Sequence, residues 1–323
     1  MTLLQEKTNL SNLNHTRIFQ LNKFFFKPLL GTLRLQFSII AALFILMFLF
    51  VNLNHVYSQQ NKITWSGPER SILDTAEYLV SYELIFNEDS TNTEDSRHQD
   101  FHLLIGEKKS MFLGINKFKA DSISEIMKGQ QFASFQDAAN SIMNSYPRGR
   151  FNYIIYKNHP DDYITLTETF LDMGPAIYQE AMNTFKWVID NSFTDTYNDY
   201  SVKKATTSYG GRQWTAYFAP DIPINDGPYK FHGLPGLILK IHDSEMHYLF
   251  SAISFEKEEH DRTIYFIKSN YAEITRSKSL QIAQNIRHNI INMAQEAQFP
   301  LEAQIRAAES MRRRNNPIEL KAD

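Results

Sequence analysis

Residues 226–243 read DGPYKFHGLPGLILKIHD and gather the side chains in this sequence best suited to chemistry. With the stretch just before it, this region holds Arg212, Asp221, Asp226, Lys230, His232 and Asp243, interleaved with Tyr217 and Tyr229. Arg212 has the planar fork that grips a carboxylate or phosphate through paired hydrogen bonds. Its architectural alternative is an internal salt bridge to Asp221 or Asp226. His232 could serve as a general base if Asp226 or Asp243 oriented it towards a hydroxyl such as that of Thr206, Ser208 or Tyr209. The alternative is a hydrogen-bonded structural histidine, and no G-x-S-x-G elbow accompanies it. No catalytic residue is therefore assigned. Arg212, Asp221, Asp226, Lys230, His232, Tyr217 and Tyr229 are expected instead to bind a ligand or partner.

The same stretch carries turn chemistry. Asp226–Gly227 followed by Pro228 marks one turn, and Pro235–Gly236 suits a type II turn in which Gly236 supplies the positive φ. LILKI then reads as a strand, with Leu237, Leu239 and Ile241 on one face and Ile238 and Lys240 on the other. On this reading GLPGLI is an architectural entry into a buried strand, and the polar residues beside it are the functional candidates.

Other chemistries find little support. HQDFH places His98 and His102 four apart across a loop and a strand, and HDSEMH offers His242, Asp243, Glu245 and His247 without zinc-protease or calcium-loop spacing. No metal and no cofactor is expected. Cysteine is absent, which removes disulfides and thiolate ligands but does not decide the redox compartment. A net charge of −3 argues against a nucleic-acid binder, and the closing MRRRNNP run suits the end of a helix.

The elements that must position these residues are short strands. Candidates are 76–86, two within 101–114 around a GEKK turn, then 150–158, 163–171, 176–182 and 184–190. Others follow at 201–219, with Gly210–Gly211 as a turn or bulge, and at 237–243, 246–258 and 263–270. Residues 118–146 predict one or two inserted helices, and from about 278 the spacing of Ala283, Ile286, Ile290 and Met293 becomes helical, with a break at Pro300. The fold class expected is mainly β: a curved antiparallel sheet or half-barrel with a short helical insertion and a C-terminal amphipathic helix.

The ordered strings KATT, GRQWTAYFAPDIPI, GPYKF and GLPGLILKI within 203–243 strongly resemble the GLPGLI family of exported Bacteroidetes proteins. Weaker similarity extends from about Tyr78 to Ile267. The resemblance implies a periplasmic or outer-envelope component, often encoded near outer-membrane transport or peptidase genes, and brings no established biochemical role. Family members commonly carry a cysteine shortly before the KAT element, where this chain has Val202.

Residues 39–51, IIAALFILMFLFV, follow a basic flank and precede Val56 and Ser58, as a secretory signal cleaved before Gln59 would. Leu35 to Leu53 is also just long enough for a retained span. The expected organisation is thus a signal peptide or N-terminal anchor over 1–58 and a single domain over 59–323. Membrane association would occur only through an uncleaved N-terminus, and the location would be the periplasm or outer envelope, or else the inner membrane by an anchor. The function expected is non-enzymatic binding of an apolar or peptide-like ligand or an outer-membrane protein partner. A cofactor-independent hydrolase using His232 and a structural accessory of an outer-membrane complex are the alternatives.

Overall fold

The computed structural model describes residues 42–51, 62–92, 94–259, 261–296 and 298–322. Most of the predicted signal or anchor, 1–58, lies outside the described residues; 42–51 are helical, and among the described residues no helix is long and apolar enough to cross a membrane. The chain divides into a small unit, 1–63 with 131–135, and a large one, 64–130 with 136–323. The large unit carries the candidate site.

The strands in chain order are β1 (Ile63–Thr64), β2 (Arg70–Asn87), β3 (Ser96–Gly106), β4 (Ser110–Gly114), β5 (Gln131–Phe132), β6 (Ile154–Lys157), β7 (Tyr163–Phe170) and β8 (Gly174–Ala181). They continue with β9 (Val188–Tyr197), β10 (Tyr200–Tyr209), β11 (Arg212–Ala219), β12 (Leu237–Asp243), β13 (Tyr248–Lys257), β14 (Thr263–Ile267) and β15 (Ala272–Glu273). Helices α1 (Ile115–Ile126) and α2 (Phe135–Ser145) are inserted after β4 and β5, and α3 (Arg276–Glu296) and α4 (Leu301–Arg313) follow the last strand.

One sheet runs β15-β8-β7-β6-β4-β3-β2-β13-β12-β11-β10-β9, with β14 also paired to β2. Its pairings are antiparallel except for β15 on β8, which is parallel, and its two ends do not meet. The fold is therefore mainly β, with inserted helices and C-terminal helices, and it is not a closed barrel. Register shifts interrupt β2, β10, β11 and β13, and such bulges increase local twist and bend the ladder.

Alternation along the strands separates two cores. Val80, Tyr82, Leu84 and Phe86 of β2 join Phe101 and Leu103 of β3 and Trp214, Ala216 and Phe218 of β11 on the inner face. Leu79, Leu104, Met111 and Tyr156 lie on the outer face, where Ile264 and Tyr265 of β14 and Phe118 of α1 cover them. Ile282 of α3 packs with Phe170 and Ala176.

The inner core is completed by a segment that is neither strand nor helix. Ile222, Tyr229, Phe231 and Leu234, from the connection between β11 and β12, belong to the same buried cluster as the sheet residues. Phe231 is fully buried, with ring centroids of Trp214 at 4.7 Å, Phe185 at 5.3 Å and Tyr229 at 6.0 Å. The 220–236 segment is thus a plug within the concave face.

The C-terminal helices begin where local chemistry permits. Thr275 Oγ1 accepts the Lys278 N–H at 3.1 Å, which caps α3 a few residues before its apolar period is evident. Pro300 precedes α4, and Arg312 and Arg313 sit in its last turn, where the helix dipole favours cations.

Candidate functional site

The plug is held by local turns and by three buried charge clusters. Phe231 N donates to Pro228 O at 3.1 Å, and within that turn Tyr229 adopts φ +53, uncommon for a bulky side chain. Gly227 is packed against Ile238, where an added Cβ would come within 2.8 Å. The Pro235–Gly236 bend differs from the type II geometry expected of it: Gly236 N donates to Leu234 O at 2.8 Å, a contact spanning only Pro235, and Gly236 has φ +152. Its backbone presses on Ala219, which leaves no room for a side chain.

The first cluster centres on Lys230, whose side chain is wholly buried. Its Nζ donates to Glu180, to Tyr209 Oη at 2.9 Å and to Glu319 Oε1 at 2.7 Å. Glu319 also accepts from Tyr229 and from Arg276 Nε, the latter at 2.6 Å. Burial opposes ionisation of Glu319, but Lys230 and Arg276 outweigh it and hold the carboxyl down at about 2. Next to this cluster Glu168 accepts a hydrogen bond from Ser279 Oγ at 2.6 Å, and burial raises its pKa.

Arg212 organises the second cluster. Its partner is Asp243, at 2.7 Å, rather than Asp221 or Asp226, and it also donates to Asn316 Oδ1, Pro317 O and Ile318 O. These bonds tie the polypeptide after α4 to the sheet. Asp243 is fully buried and further accepts Tyr248 N at 2.8 Å, so HDSEMH uses this aspartate for structure. Among the described residues no group of three or more histidines and carboxylates is placed to hold a metal ion.

The third cluster borders open space. Lys157, at the end of β6, donates to Asp226 Oδ1 and Gly227 O, each at 2.5 Å, and to Phe231 O at 3.1 Å. Burial lowers the Lys157 pKa against the attraction of Asp226. His232 sits beside it with Nδ1 2.8 Å from Lys230 O and Nε2 2.6 Å from Met182 O. Burial, and then the nearby Lys157, hold its pKa below the usual histidine value, while the two carbonyls pull the other way.

Lys157, Asp226 and His232 line a cleft of ≈ 1430 Å³. Its other walls include Tyr78 and Phe255, stacked at 5.4 Å, together with Phe185, Tyr163 and Tyr200. Charges of both signs surround it: Lys108 and Lys109 in the β3–β4 turn, against Glu77, Glu107 and Asp162. Ser110 also lines the cleft and shares the β4–β6 register with Lys157; its buried hydroxyl has no hydrogen-bond partner.

The structure therefore brings together only part of the predicted site. Asp221, Asp226 and His232 reach the cleft. Arg212, Lys230 and Tyr229 are buried in the clusters below the surface. Tyr217 is on the other side of β11, packed with Phe193 and His242 beneath Lys240. Val202 is buried in β10 and packs in the inner core. Lys157, Glu180 and Glu319 were not singled out by sequence reasoning, nor were the cleft aromatics Tyr78 and Phe255. Each lies on a segment distant in the chain, and no local motif announces it.

Residues 175–240 match the model of a family described as a protein of unknown function (Porph_ging). This match spans the β8–β12 region, including the plug. No curated protein matches the chain. Among solved structures, two entitled "Structure of PNGF-II", in the C2 and P21 space groups, are similar at 13% and 14% identity with TM-scores of 0.43. Each comparison covers 67% of this chain and 34% of the other, so the chain spans about a third of the length of those structures.

Proposed function

We propose that this chain is an exported cell-envelope protein of the GLPGLI type that binds a peptide-like ligand in the cleft beside the plug. The observation that carries the reading is the make-up of that cleft. It combines an aromatic pair, further partly exposed rings and both signs of charge around one space, as a ligand with apolar side chains and charged or polar backbone ends requires. The apolar N-terminal stretch and its basic flank support export, to the periplasm or the outer envelope, with an outer-membrane protein as a natural source of the peptide segment.

Hydrolysis by His232 is less well supported. A neutral ring has one N–H and one lone pair, yet both nitrogens face backbone carbonyls, and Asp226 is engaged by Lys157. The lone pair a general base needs is thus directed at a carbonyl rather than at a hydroxyl.

The test is fluorescence anisotropy of a labelled octapeptide pool with the full chain. Saturable binding is expected, and Phe255→Ser should weaken it by about tenfold or more, as loss of an aromatic anchor does. Its urea midpoint should change little, since Phe255 is only partly buried. Absence of saturable binding, or equal binding by Phe255→Ser, would overturn the reading. Intact mass after cell fractionation checks export: an envelope species starting at Gln59, or a membrane-bound full-length one, is expected, and a soluble cytosolic full-length species contradicts it.

A further inference from the structure

A second cavity, of ≈ 430 Å³, lies between α3, α4 and the chain that follows them. Arg287 and Ile290 are one helical turn apart on α3, and Met311 and Arg312 close α4, so both helices offer a basic and an apolar group to the same space. His288 and Arg314 extend the basic side.

This basic side is short of anions. Glu88 accepts from Arg150 Nε and is also approached by Arg97 at 3.3 Å and by Arg314 at 3.5 Å. Arg287 joins the group by donating Nη1 to Arg314 O at 2.8 Å. Three guanidiniums therefore share one carboxylate, and a fourth is bonded to the backbone of the third. The neighbouring Asp89 is already taken by Thr91 and Asn315. The Arg314 atom that approaches Glu88 is its buried Nε, which is too far from the carboxylate to make a full hydrogen bond. A buried N–H with only a distant acceptor is costly, and so is a partly buried cation facing others of its kind. Burial, and next the repulsion from Arg150, lower the pKa of both Arg287 and Arg314. An incoming anion would offset this excess of positive charge.

We propose that this pocket binds a phosphomonoester, with its dianionic group on Arg287, Arg312 and Arg314 and its organic body against Ile290 and Met311. Guanidinium forks match tetrahedral phosphate oxygens through paired, charge-assisted bonds. The apolar wall distinguishes a phosphate carried on an organic body from the bare ion, which would leave Ile290 and Met311 uncovered. A nucleic-acid backbone fits poorly, because the basic groups line one small cavity instead of an extended track. The site is separate from the peptide cleft and does not depend on that reading.

Calorimetric titration of the full chain with glycerol 2-phosphate and with inorganic phosphate, at constant ionic strength, tests the assignment. Saturable binding of both is expected, tighter for the phosphomonoester. Arg287→Gln should weaken it about tenfold, the usual consequence of losing a charged hydrogen-bond donor. Arg312→Gln should weaken it too; this side chain is exposed, so the variant keeps the test valid should Arg287→Gln misfold. Lys240→Gln, on another surface, should bind as the wild type does. Equal affinity for the two ligands would make free phosphate the ligand and overturn the phosphomonoester assignment. No saturable binding of either, or unchanged binding by Arg287→Gln and Arg312→Gln, would overturn the site itself.

Discussion

Lys230→Met is expected to lower the free energy of unfolding by about 3–5 kcal/mol, the range for removing one partner from a buried ion pair. The methionine would fill similar space, so the loss arises from charge rather than from a cavity. Without Lys230, Glu180 and Glu319 would face each other with only Arg276 between them, which pairs with both at 3.3 Å and 2.6 Å. Urea denaturation of the two proteins at neutral pH measures the difference directly. Acid provides a second readout of the same cluster. The folded pKa of Glu319 lies below its ordinary value of 4.5, so the stability it contributes is present above 4.5 and drains away as pH falls towards about 2. Lys230 is the foremost cause of the lowering, and this part of the acid dependence should therefore be shallower in Lys230→Met. A variant as stable as the wild type, with the same acid profile, would show that the cluster does not hold the plug.

Gly236→Ala is expected to cost about 2–3 kcal/mol by forced overpacking at an incompatible backbone conformation. A Cβ at this position would stand 2.3 Å from Ala219 O, 2.7 Å from Ala219 C and 2.9 Å from Pro220 N. All three are backbone atoms, so no side chain can swing away; either the end of β11 or the start of β12 must move. Gly233→Ala is the matched comparison. It also has positive φ, +93, but its added Cβ would meet only Trp187 at 3.8 Å. It should lose only the conformational part, about 1 kcal/mol. Equal urea midpoints for the two variants would refute the close-approach argument for Gly236.

Much of the architecture was legible from residue pattern. Leu237–Asp243 is a strand over the residues expected, Gly210–Gly211 makes the β10–β11 hairpin turn with φ of +62 and +79, and Pro300 separates the two C-terminal helices. These features depend on neighbours in sequence: alternation, permissive φ or a missing N–H. Where neighbours did not suffice, the reading drifted. Phe185 and Trp187 show strand alternation but precede β9; they pack instead on Phe231, and Trp187 Nε1 donates to His232 O at 2.8 Å. The MRRRNNP run does end a helix, as its arginines suggest. Yet Asn316, Ile318 and Glu319 are buried, their polar groups satisfied by Arg212, Lys230 and Arg276.

The site was legible only in its plug. Asp226 and His232 stand beside the cleft because they belong to that segment, but the lysine that engages Asp226 is 69 residues upstream. Lys230 finds Glu180 and Glu319 at separations of 50 and 89 residues. Spacing in sequence cannot reveal such pairings, which arise when the sheet curves and brings β6, β8 and the C-terminal segment to one interior. The polar residues beside GLPGLI were read as binding groups for their chemistry, a guanidinium fork at Arg212 and an imidazole at His232 among carboxylates. Here Arg212 and Lys230 are buried because each has two or more partners.

On the proposed reading the 220–236 plug is rigid and the cleft rim beside it meets the ligand. Hydrogen–deuterium exchange of the full chain, with and without the octapeptide pool, tests both assignments in one measurement. Amides of Ile222, Phe231, Gly236, Leu237 and Ile238, bonded within the plug and to β12, should exchange only through global unfolding and should be indifferent to peptide. Segments around Tyr78, Lys108 and Phe255 should exchange faster and gain protection when peptide is added. Rapid exchange across 222–238, or protection on binding that falls there and spares the rim, would contradict the account.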